Sequence, residues 1–193
     1  MSQSKWSRRE FNRAAALTAL SGGVVACSES DIAGNPRPLP RGVVLITADD
    51  LGWRDLSAYG LSNVGTPNLD RLVDEGVAFE RAFDVVSTCS SSRATIVTGQ
   101  YPHTHGVTGL VHRHPELSLP VDHPTLIREL AVAGFTTAIQ GKWHLAHGLS
   151  PEEFGYGQYL PTDLDQRIRS VDAVRDFLAE YAQVPFYLEL NYM

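Results

Sequence analysis

At 193 residues the chain is long enough for one domain with a hydrophobic core, and 43% hydrophobic with 20% charged residues is a globular composition. Its 22 acidic residues outnumber 16 basic ones for a formal net charge of -6, which argues against a general binder of nucleic acid or anionic membrane. The two cysteines, Cys27 and Cys89, imply no disulfide framework.

Residues 1–26 read as a targeting segment and not as part of the fold. Ser7-Arg8-Arg9-Glu10-Phe11 resembles a twin-arginine export signal, which implies the twin-arginine machinery as a partner. Ala14 to Ala26 is mildly apolar and too short to span a bilayer. Val24-Val25-Ala26-Cys27 resembles a lipobox, in which Cys27 becomes the lipidated first residue of an exported bacterial lipoprotein. Plain signal cleavage nearby is the alternative. The lipid would be the sole membrane contact, in the periplasm or at the outer cell surface. Residues 27–41, with Pro36, Pro38 and Pro40, read as an extended tether, leaving 42–193 for the folded part.

Gly42 to Ala48 is a continuous β-branched run, which predicts a buried strand covered on both faces. It ends in Asp49-Asp50, where open α/β sheets place their sites. Paired carboxylates suit a hard cation such as Ca²⁺ or Mg²⁺, although a turn that uses Asp for local hydrogen bonds reads the same way. Thr66 to Gly76 is a self-contained helix, with Thr66 as cap, Pro67 in the first turn, Leu69, Leu72 and Val73 as its apolar stripe, and Gly76 as its stop.

Cys89-Ser90-Ser91-Ser92-Arg93-Ala94-Thr95-Ile96-Val97-Thr98-Gly99 follows. Three hydroxyl residues suit the first turn of a helix, and Gly99 supplies its stop. Cys89 would then sit over free backbone N–H groups and the positive end of the dipole, with Arg93 on the same face. That arrangement suits a tetrahedral oxyanion; a small buried Cys capping an ordinary helix fits these residues equally. The turn after it holds His103 and His105, and His112 and His114 lie beyond. Their spacing matches no zinc pattern, so His103, His105 and His112 are read as loop residues, with one or two lining a pocket.

A second helix is expected from Pro124 to Gly134 with Leu126, Ile127 and Leu130 inward, then a strand from Phe135 to Gln140. In extended chain Lys142 and His144 fall on one face and Trp143 on the other. A fixed ammonium beside an imidazole is a site pattern, and also an ordinary solvated strand end. Asp163 to Gln183 reads as an amphipathic helix with Ile168, Val171, Val174, Leu178 and Tyr181 on one side, and Pro185 to Tyr192 as a last strand.

Cys89-Ser90-Ser91-Ser92-Arg93 with Thr98-Gly99 resembles the C-x-P-x-R-x-x-x-x-T-G signature of the type I sulfatases, departing from it at Ser91, where that family has Pro or Ala. Gly141-Lys142-Trp143-His144 resembles a second signature of the same family, and Asp49-Asp50-Leu51-Gly52 its first metal-ligand pair. The resemblance implies the N-terminal part of an alkaline-phosphatase-like α/β sandwich, a mixed, mostly parallel sheet with helices on both faces. It implies oxidation of Cys89 to formylglycine by the formylglycine-generating enzyme. It further implies catalytic roles for Cys89, Arg93, Lys142 and His144, and Ca²⁺ (or Mg²⁺) held by Asp49, Asp50 and residue 89. The substrate implied is a sulfated small molecule or saccharide. The Gly99–His114 region looks most like the N-sulfoglucosamine sulfohydrolase (heparan N-sulfatase) branch, which would make the bond cleaved S–N in place of S–O. A phosphatase or phosphonate-ester hydrolase of the same superfamily, or a non-catalytic surface lipoprotein, are the alternatives.

Overall fold

The computed structural model describes residues 42–60, 63–162 and 171–193. The predicted signal, the tether, Cys27 and Ile168 lie outside these residues. Among the described residues no helix is long and apolar enough to cross a membrane.

Four strands form one sheet: β1 (Gly42–Ala48), β2 (Thr136–Gly141), β3 (Gln158–Leu160) and β4 (Phe186–Tyr192), in the order β1-β4-β2-β3. Every pairing among them is parallel. The strand last in sequence thus lies between β1 and β2. Its register aligns Gly42 and Thr136 with Phe186 at one end, and Thr47 and Gly141 with Asn191 at the other. Asp49 N–H then donates to Tyr192 O at 2.9 Å, and Lys142 N–H to Asn191 O at 3.3 Å. Residues 49 and 142, remote in sequence, therefore leave the sheet on either side of β4 at its carboxyl end.

The helices are α1 (Pro67–Glu75), α2 (Cys89–Thr98), the single turn α3 (Pro102–His105), α4 (Leu126–Val132) and α5 (Val171–Tyr181). α5 and α4 pack on opposite faces of the sheet, as strand alternation requires. Phe186, Leu188 and Leu190 of β4 join Ala138 of β2 against Phe177, Val174 and Leu178 of α5. Tyr187 and Ile139 point the other way, toward Ile127 and Leu130 of α4 and Tyr156. A third cluster ties α2 to the segments after it: Ala94, Val97, Val107, Val111, Leu119, Leu145 and Phe154, with Trp143 packed against it. Burying each large apolar side chain contributes about 1.5–3 kcal/mol.

The structure corrects several expectations. Among the described residues β1 is an edge strand, and Val43, Val44 and Ile46 are 40%, 45% and 54% exposed. Its β-branched run records polarity, and polarity does not say on which side a neighbour lies. Leu69 and Leu72 of α1 are exposed, and no residue of that helix is buried. Thr66 occupies the cap position, but its hydroxyl bonds Ser57 and Asp70 and not the helix amides. Leu126 is exposed too, because Thr125 caps α4 with its side chain and turns Ile127 inward. In α5 the buried residue is Phe177, whereas Val171 is exposed.

Candidate active site

Helix α2 begins at Cys89 and ends at Gly99, whose φ of 68° is the left-handed stop conformation that Gly adopts without strain. In its first turn Ser90 and Ser91 are fully enclosed, while Cys89 is half-buried. The Ser90 hydroxyl accepts from Val111 N–H at 3.3 Å, tying the loop after α3 back to the start of α2.

Arg93 is only 8% exposed and holds two other elements. One guanidinium nitrogen donates to Lys142 O at 3.1 Å, and the other lies 3.9 Å from Asp49 Oδ2. That same carboxylate oxygen accepts from Lys142 Nζ. Two cations thus flank one carboxylate at the carboxyl ends of β1 and β2. Burial pushes the Arg93 pKa below its usual value, with Asp49 opposing the shift.

His144 completes the cluster: its Nδ1 stands 3.3 Å from Cys89 Sγ. Burial pushes its pKa down to about 4, and the charge of Lys142 adds to the effect, followed by His112 and Arg93. The ring is therefore neutral at neutral pH. Asp50 and His144, with φ of 58° and 59°, are the only non-glycine residues in the left-handed region among those described. Both flank this cluster, and such backbone persists only where its surroundings hold it.

An open cleft of about 330 Å³ adjoins Lys142 and His144, walled by Trp143, Leu149, Pro151 and Tyr159. Of the three histidines expected near a pocket, only His112 reaches the cluster, with its Nδ1 2.7 Å from His144 Nε2. His105 does not line it. The ring is buried, its Nδ1 accepts from Val107 N–H, and Nε2 meets Thr95 Oγ1 at 3.2 Å, so it serves as a clamp on α2. His103 stacks on Tyr101 at the surface.

Sequence reasoning missed the support beneath the cluster. Asn191 Nδ2 donates to Lys142 O at 2.9 Å and to Glu189 Oε1 at 2.8 Å, and its Oδ1 accepts from Thr47. Glu189 Oε2 in turn accepts from the hydroxyls of Tyr156 and Tyr187. The available signal was Tyr187, Glu189 and Asn191 at alternate positions of one strand, which share a face.

Asp49 and Asp50 offer hard oxygens of the kind a divalent cation takes six to eight of. Among the described residues no group of three His, Cys, Asp or Glu is gathered around them.

The sulfatase family profile matches residues 41–170. The chain belongs to the sulfatase family. Its relatives include bovine (Bos taurus) arylsulfatase A, 40% identical over 74% of this chain and 25% of that protein. An N-acetylgalactosamine-6-O-sulfatase of Bacteroides thetaiotaomicron is 41% identical over 57% of this chain and 21% of its own length. Among solved structures, a protein in complex with its substrate D-glucosamine-2-N,6-O-disulfate superposes with a TM-score of 0.63 at 24% identity, covering 77% of this chain and 33% of that one. The fold is the alkaline-phosphatase-like one of the sulfatases, and this sulfatase chain spans about a quarter of the length of the curated relatives it matches.

Proposed function

We propose that this chain supplies the nucleophile, the first two metal carboxylates and the oxyanion-binding cations of a sulfatase that releases sulfate from a sulfated sugar. What supports this reading is one convergence: Cys89, Arg93, Asp49, Lys142 and His144 meet at the carboxyl end of the sheet from three separate elements. Position 89 carries formylglycine, installed by the formylglycine-generating enzyme, whose hydrated aldehyde supplies the hydroxyl nucleophile. Asp49 and Asp50 hold a divalent cation, Ca²⁺ or Mg²⁺, which supplies a Lewis acid for a sulfate oxygen. Arg93 and Lys142 stabilise charge developing on the sulfate oxygens. His144, neutral and facing position 89, moves a proton there. Because the net charge of the chain is -6, these two local cations draw in the anion against the overall field.

Most of the curated relatives are named arylsulfatases; the N-acetylgalactosamine-6-O-sulfatase among them favours a sugar sulfate, and the Gly99–His114 resemblance favours the sulfamate of N-sulfoglucosamine. The test compares sulfate release by the full-length protein from N-sulfoglucosamine, 6-O-sulfated glucosamine and an aryl sulfate, with mass spectrometry of the Cys89 peptide. The expected result is an aldehyde at position 89 and preference for the sulfamate. Preference for either ester removes the sulfamate reading and keeps the sulfatase. An unmodified thiol in active protein overturns the mechanism and favours a phosphatase or phosphonate-ester hydrolase. Export follows the twin-arginine route with a lipid on Cys27; Cys27→Ser should abolish lipid labelling, and unchanged labelling would refute the anchor.

A further inference from the structure

We infer that His112 is a positioning residue that sets the tautomer of His144, so that Nδ1 of His144 faces position 89 as a proton acceptor. The geometry leaves the ring little choice. Nδ1 lies 3.3 Å from Cys89 Sγ and Nε2 lies 2.7 Å from His112 Nδ1, so both nitrogens are engaged. A neutral imidazole donates through one nitrogen and accepts through the other, and the bond made on one side decides the role of the other. The group at position 89 carries the proton to be moved, whether thiol or hydroxyl. The nitrogen facing it is therefore the acceptor, Nε2 carries the hydrogen, and His112 Nδ1 accepts it.

Two further observations tie His112 to this role. The rings of His112 and His144 stack with centroids 4.9 Å apart and planes 21° from parallel, which restrains rotation of both. The loop that carries His112 is also registered on the nucleophile's own helix. Val111, fully buried, donates its N–H to the hydroxyl of Ser90, the residue next to Cys89. Position 89 and His112 are thereby held as one unit, while the left-handed backbone of His144 turns its ring between them. His112 itself is exposed and acts only through His144.

This inference rests on the sulfatase reading of position 89, and the experiment separates the two. The full-length protein, labelled with nitrogen-15 histidine, reports through long-range proton–nitrogen correlations which His144 nitrogen bears hydrogen. The wild type should show Nε2–H. In His112→Ala the His144 signals should become a tautomer mixture, with kcat about 10–100-fold lower and KM unchanged, the range seen when a histidine's orienting partner is removed. His112→Asn, whose side-chain oxygen can take the place of Nδ1, should restore the tautomer and most of kcat. A single unchanged tautomer in His112→Ala overturns the inference, whether or not kcat falls. If the wild type releases no sulfate from any of the three substrates, the sulfatase reading fails, and the tautomer spectra still decide this one.

Discussion

Arg93 shows how much one buried side chain organises here. Its planar fork reaches Lys142 O and Asp49 Oδ2 together, and so links α2, the end of β2 and the end of β1. A lysine keeps the charge, but as a single point it cannot span both partners. Arg93→Lys in the full-length protein should lower kcat by about 100-fold or more, the scale of losing a preorganised oxyanion contact. Its circular dichroism should remain that of the wild type. Activity within a few-fold of wild type would mean that charge alone suffices at this position. Ser91, buried with no partner for its hydroxyl, occupies the position of Pro or Ala in the family signature; the helix runs through it unbroken.

At the scale of elements, β4 does more than complete the sheet. Tyr187 and Glu189 on its inner face, with Tyr156 beside them, form a buried polar layer under the site. Both phenols are raised above the ordinary value of 10.0, first by burial and then by the charge of Glu189. The unfolded chain ionises them near pH 10 while the folded chain keeps both protons. The folded state therefore binds more protons above pH 10, and the stability present below that pH declines as the pH rises through it. Urea unfolding midpoints between about pH 9 and 11 should fall more steeply for the wild type than for Tyr187→Phe. Equal slopes would show that the layer is open to water. Loss of Asn191, which links this layer to the Lys142 carbonyl, would pass the disturbance on to Arg93.

For the molecule as a whole, exposed apolar side chains stand out among the described residues: Val43, Val44 and Ile46 on the edge strand β1, and Leu69 and Leu72 on α1. Open strand edges with apolar side chains pair with other chains. The purified 193-residue chain should therefore bind a hydrophobic dye and self-associate in sedimentation experiments. Ile46→Lys, at a position 54% exposed, should reduce both without disturbing the Cys89–His144 pair. A monodisperse wild-type monomer with no dye binding would show that these side chains are covered by other means.

The sequence alone placed the main local elements and singled out residues that the structure brings together. A Cys ahead of three hydroxyl residues and a Gly stop marked α2, and Asp49, Lys142 and His144, which meet beside it, were singled out by the motif resemblance. Those properties depend on near neighbours, through capping, backbone freedom and polarity period. Tertiary structure decided the rest. That β1 lies at an edge, that β4 inserts between β1 and β2, and that Glu189 and Asn191 underlie the site all depend on which strands pair. The three histidines differ in the same way: His105 became a buried clamp and His112 reached the cluster because of where the loop after α3 is pinned to Ser90. Strand order and loop placement follow from contacts between residues far apart in the chain, and the polarity pattern of a segment carries no record of them.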